Sequence, residues 1–149
     1  MHRSTVEELD RSLAQTWHWL AEVDERMNAQ NPKLAMSALQ CTLQALCQQF
    51  GAEQAARFAE HLPIPLKGVF FEGWQPALPH PATSREEFLA RVRDIHRSGP
   101  DFAVEQATKA SLEVIAAHIP AANKEELAAA LPDGLGNLGP QRQAPRGRA

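Results

Sequence analysis

The sequence predicts an all-α fold, a compact bundle of about six helices built from two tandem three-helix repeats. Three observations carry this reading. Apolar residues recur at helical spacing, as in Leu39, Leu43, Leu46 and Phe50, separated by four, three and four positions. Helix-start residues stand ahead of such stretches at Ser4 or Thr5, at Asn31-Pro32 and at Thr83-Ser84. No stretch sustains the two-residue alternation of a half-buried strand. With 149 residues, 44% of them hydrophobic and 22% charged, the chain has the length of one domain and can bury one core.

Shifted by 69 positions, the chain aligns on itself without a gap. Trp19 falls on Phe88, Val23 on Val92, Ala38 on Ala107, Leu43 on Leu112, Leu46 on Ile115, Phe50 on Ile119 and Phe58 on Leu127, and LPIPL (62–66) falls on LPDGL (131–135). In the first half a helix runs from about Val6 to Met27, opened by Ser4 or Thr5 with Glu7 and Glu8 behind it. A second follows Asn31-Pro32, where Asn caps and Pro suits the first turn, and ends at Gly51. A third holds Phe58 and Leu62 and stops at a proline. The second half opens at Thr83-Ser84 with Glu86 and Glu87 and runs to about His96. It restarts at Asp101 with Ala107, Leu112, Ile115 and Ile119 inward, breaks at Pro120, and closes on a helix with Leu127 and Leu131. Helices this short are marginal alone, so the two triplets must pack on each other. The expected organisation is a single helical domain over 1–138, with repeat 1 at about 15–69, an aromatic connector at 66–82 and repeat 2 at about 83–138. Residues 139–149 (GPQRQAPRGRA) read as a disordered basic tail.

The connector holds three of the nine aromatic residues in a chain without tyrosine, in the stretch LKGVFFEGW (66–74). Shifted by 69, Phe70 and Phe71 land on Gly139 and Pro140, so the second half lacks these rings. Burying Phe70, Phe71 and Trp74 is worth roughly 5–9 kcal/mol in total, comparable to a domain's whole net stability of about 5–15 kcal/mol. Left exposed, they would present about 450 Å² of apolar surface. They are expected to seal the crossing between the triplets, with Lys67 and Glu72 as a solvated rim.

The stretch HLPIPLKGVFFEGWQP, followed by TSREEFLARV, resembles the bacterial family known as domain of unknown function 2267. The likeness covers roughly residues 15 to 138 and is most specific at Leu66–Trp74. Phe70 and Phe71 stand where tyrosines are common in that family. The resemblance implies a bacterial, helical, soluble protein and supplies no catalytic residues.

Motifs for chemistry are sparse. Cys41 and Cys47 lie six positions apart, about 9 Å along one helix and on different faces, too far to bridge and too few for a zinc site. GLGNLG (134–139) fits a dinucleotide-binding spacing, but it follows a helix rather than a strand and leads into a polar tail. The histidines at 2, 18, 61, 80, 96 and 118 show neither HExxH nor ExxH spacing, and none recurs at its 69-residue equivalent. His18 lies between Trp17 and Trp19, so at least one ring there must face outward, and a stacked or partly buried His18 is expected. Glu86-Glu87 and Glu125-Glu126 are expected in first turns of helices, where the dipole favours negative charge. Net charge is −3, and with three arginines in the tail the remaining chain carries −6, which repels nucleic acid. No apolar run suits a signal peptide or a membrane span, and a cytoplasmic protein is the expectation.

These features point to a non-enzymatic protein-interaction or adaptor module, with no catalytic residues, cofactor or metal. The expected contact surface is Lys67, Phe70, Phe71, Glu72 and Trp74 together with Trp17 and His18. The partner is another protein or a second copy of the chain, and neither nucleic acid nor a membrane. The alternative is a small-ligand or metal-dependent enzyme with its site between the repeats, using symmetry-breaking residues such as His18, His61, Glu72 and His118. His61 or His118 would there meet Glu60 or Asp94. A polar cavity lined by those histidines separates the two readings.

Overall fold

The computed structural model describes residues 5–74, 80–96 and 103–135, and these hold seven helices and no strand. They are α1 (Thr5–Met27), α2 (Pro32–Cys47), α3 (Ala52–Ala59), α4 (Ile64–Phe71), α5 (Arg85–Ile95), α6 (Val104–Ala117) and α7 (Ala121–Ala130). The expected caps at Ser4 and Asp101, the GLGNLG segment beyond Leu135 and the basic tail lie outside the described residues.

The local signals act where the sequence puts them. Asn31 stops and restarts the chain: its side chain accepts the Lys33 amide proton at 3.1 Å and caps α2, with Pro32 in the first turn. Its own amide donates to Asp24 at 3.1 Å, which pins the turn to the end of α1. Ser84 caps α5 by accepting from the Glu87 amide at 3.0 Å. The Glu87 carboxylate returns to the Thr83 amide and hydroxyl, and these bonds hold it below the usual glutamate range.

α2 is the central element, packed against α1, α4, α5 and α6. Its buried residues run nearly all round the helix: Ala35, Ala38, Leu39, Cys41, Thr42, Leu43, Ala45, Leu46 and Cys47. Both cysteines are free, and burial pushes the Cys41 thiol up to about 11 and that of Cys47 to about 12, which makes them inert core residues.

The largest departure from the sequence reading is α4. The connector was expected to begin at Leu66, yet Ile64–Phe71 forms a seventh helix. Pro63 stands at its N-cap, and Pro65 falls in the first turn, where a missing N–H costs nothing. The Leu66 and Lys67 amides both donate to the Pro63 carbonyl, at 2.9 and 3.0 Å. The unpaired Ile64 amide is taken by the buried Ser12 hydroxyl of α1, whose carbonyl in turn accepts from Thr16 at 2.8 Å. Helical winding turns the aromatic residues to different depths. Phe70 is fully buried, with ring centroids 5.3 Å from Phe58 and 5.0 Å from Phe71, while Phe71 and Trp74 are partly buried, their rings tilted at 46° with centroids 5.1 Å apart.

The 69-residue offset recurs approximately in some element boundaries: α5 ends 68 positions after Met27, α7 starts 69 after Ala52, and α6 ends 70 after Cys47, whereas α5 begins opposite the middle of α1. Aligned core positions such as Trp19 and Phe88, Val23 and Val92, or Leu66 and Leu135 are buried in both halves. Arg57 and Glu126, themselves 69 apart, pair with each other at 3.5 Å between α3 and α7. Glu125 and Glu126 do not sit in a first turn as expected, because α7 already begins at Ala121.

Gln49, just past α2, ties the halves together. It is buried, its carbonyl accepts the Ala82 amide at 2.7 Å, and its amide donates to the carbonyls of Ala82 at 3.2 Å and Ala130 at 2.8 Å. One side chain thus satisfies backbone groups ahead of α5 and at the end of α7. Gln49→Leu leaves these groups stranded at about 1–3 kcal/mol each, so denaturant unfolding should show a loss of at least about 2 kcal/mol; a smaller loss would mean water replaces the amide. Phe70→Ala should cost about 3–5 kcal/mol in the same assay and Trp74→Ala less than half as much. Equal costs would contradict the difference in depth.

Candidate functional site

α1 is the longest helix, at 23 residues, and its buried positions Ser12, Thr16, Trp19, Leu20 and Val23 occupy only one face. At about 100° of rotation per residue, two different surfaces flank that face. On one side lie Val6, Leu9, Leu13 and Trp17, spaced three, four and four. Val6 and Trp17 are about two-thirds exposed and Leu9 and Leu13 nearly half. On the other side lie Arg11, Gln15, His18 and Glu22.

The second flank forms one wall of a groove of about 530 Å³, lined by Arg11, Gln15, His18, Trp19, His61 and His118 among others. His118 reaches it because α6 ends there, with His118 as its C-cap. Its imidazole stacks on the buried Trp19 ring at 4.8 Å and 18°, and its Nε2 lies 2.8 Å from Glu22 Oε1. His18 Nε2 lies 3.1 Å from the other oxygen, Glu22 Oε2. One carboxylate therefore bridges two imidazoles that meet edge to face at 5.9 Å. Arg26 with Glu113, at 3.2 Å, and the Gln106 amide on the Met27 carbonyl, also at 3.2 Å, extend this polar seam along α1 and α6. His18, Glu22 and His118 are the one group of three or more His, Cys, Asp or Glu side chains, among the described residues, that could hold a metal ion: their ligand atoms all lie within 4.8 Å of one another.

The expected contact residues do not form one surface. Phe70 lies in the core and has no surface to offer a partner. Lys67, Phe71 and Trp74 are partly buried, and Glu72 is exposed and hydrogen-bonds Gln44 of α2 at 3.4 Å. None of these lines the groove. Trp17 and His18 are both exposed but project from opposite flanks of α1, and His18 is not stacked between the tryptophans, its side chain being 66% exposed. Of the four symmetry-breaking residues, the structure brings together His18, His61 and His118 and leaves Glu72 apart.

Glu22 is the residue that sequence reasoning missed. Glu60 and Asp94, expected as the acidic partners, do not line the groove. The available signal was the four-residue interval between His18 and Glu22, which places both on one side of a helix. His118, 96 positions from Glu22, could join them only through the packing of α6 on α1.

Compared with known families, residues 16–138 match the family described as "uncharacterized conserved protein (DUF2267)". The chain belongs to that family, as the LKGVFFEGW stretch suggested. No curated protein matches it. Among the described residues, no helix is long and apolar enough to cross a membrane.

Proposed function

We propose that this family member is a non-enzymatic protein-interaction module, an adaptor whose main contact face is the uncovered flank of α1. The observation that carries the reading is the stripe Val6, Leu9, Leu13 and Trp17, four large apolar side chains aligned on one helix and facing water. Such a patch is costly to leave open, and patches of this kind mark interaction sites. The exposed acid Asp10 borders it, which suits an amphipathic helix with a basic flank on the partner. The exposed parts of Lys67, Phe71, Glu72 and Trp74 form a secondary contact at the far end of α4. We read the body beneath as a duplicated helical triplet, which the kept offset and the Arg57–Glu126 pair support.

A second reading is favoured by the groove. Three of the histidines that break the 69-residue symmetry line one cavity, and its volume suits a small ligand.

Leu13 and Trp17 are exposed, so Leu13→Asp with Trp17→Asp should leave the circular dichroism spectrum and melting temperature of the full chain nearly unchanged. A photo-crosslinking residue at position 9 should form a discrete adduct in the native host, and the double substitution should abolish it. Light scattering of the purified chain assigns the adduct to a second copy or to another protein. A monomer that forms no adduct from position 9 defeats the interaction reading.

A further inference from the structure

We propose that His18, Glu22 and His118 form a binding site for one divalent transition-metal ion, with zinc as the reference metal. The site uses the polar flank of α1 and not its apolar stripe, so it stands independently of the partner-binding reading.

The ligand atoms are already gathered. His18 Nε2 and His118 Nε2 approach the two oxygens of the same carboxylate at 3.1 and 2.8 Å, and the whole set lies within 4.8 Å. Ligand atoms bound at about 2.0–2.2 Å in a tetrahedral zinc site stand a little over 3 Å apart, so small side-chain rotations suffice. All three ligands are held in place. His18 and Glu22 are one turn apart within the 23-residue α1, and the His118 ring is held flat on Trp19. That stacking aims Nε2 at the carboxylate, as an orienting contact does in an established metal site.

Donor type selects the metal. Two imidazoles and one carboxylate suit zinc, copper, nickel or cobalt, whereas magnesium and calcium prefer oxygen alone. Three protein ligands leave a fourth position for water or a ligand atom. The His18 side chain is two-thirds exposed, and the groove carrying His61 and Arg11 runs alongside, so that position opens on solvent.

The test is calorimetric titration of the full-length protein, stripped with chelator, with zinc, and a repeat with cobalt read by its visible absorption. The expected result is one zinc per chain, with His18→Asn and Glu22→Gln each weakening binding at least tenfold. His61→Asn, in the same groove but outside the cluster, should change affinity less than twofold. Magnesium should produce no heat of binding. His18 is exposed, so His18→Asn reports on ligation without disturbing the core, and a melting curve verifies that each variant is folded. The proposal is overturned if folded His18→Asn retains wild-type affinity, if His61→Asn weakens binding as much as the cluster substitutions, or if no saturable uptake occurs. The last outcome would leave Glu22 as a hydrogen-bonding clamp between α1 and α6 and nothing more.

Discussion

The burial of α2 on nearly every side is the constraint from which the rest of the architecture follows. A helix whose Ala, Thr and Cys residues and all its leucines but Leu34 are buried needs cover from several directions, and α1, α4, α5 and α6 supply it. Of these, α4, α5 and α6, with 8, 11 and 14 residues, are marginal as isolated helices. Each is held by the apolar face it presents to α2 and by a few polar links at its ends. Ser12 on the α4 amide, Asp24 on Asn31 and His118 on Glu22 are such links. The two half-exposed pairs fix position more than they add stability, because such pairs contribute little net energy. The buried Ser12 hydroxyl instead meets an amide that would otherwise be stranded.

Much of this architecture was legible in the residues. The stripe Leu39, Leu43, Leu46 and Phe50 names the core face of α2, and Asn31-Pro32 and Thr83-Ser84 mark helix starts to within a residue. α4 was not legible, because a helix of eight residues containing Pro65 and Gly68 runs against local propensity. Its first amide is satisfied by a hydroxyl 52 positions earlier in the chain, which no local pattern announces. Gln49 was equally silent, since a buried glutamine looks like any surface glutamine until its backbone partners are known.

The candidate site shows the same division. The interval between His18 and Glu22 is local, and a helical reading alone puts both on one side. The addition of His118 requires knowledge of where α6 ends relative to α1, which no spacing rule contains. The exposed stripe on α1 was hidden for a different reason. Val6, Leu9, Leu13 and Trp17 look like an ordinary core-facing pattern, and only the placement of the other helices reveals that, among the described residues, they stay exposed. α1 thus carries three surfaces at once: one against the body, one apolar and open, and one polar and facing a groove.

The Gln49 amide bears on how far such a molecule can be divided. Its hydrogen-bond partners lie at Ala82 and Ala130, so a fragment cut in the aromatic segment would keep the glutamine and lose everything it binds. Neither side of such a cut would be self-sufficient in hydrogen bonds, since Gln49 and the backbone groups it serves would part.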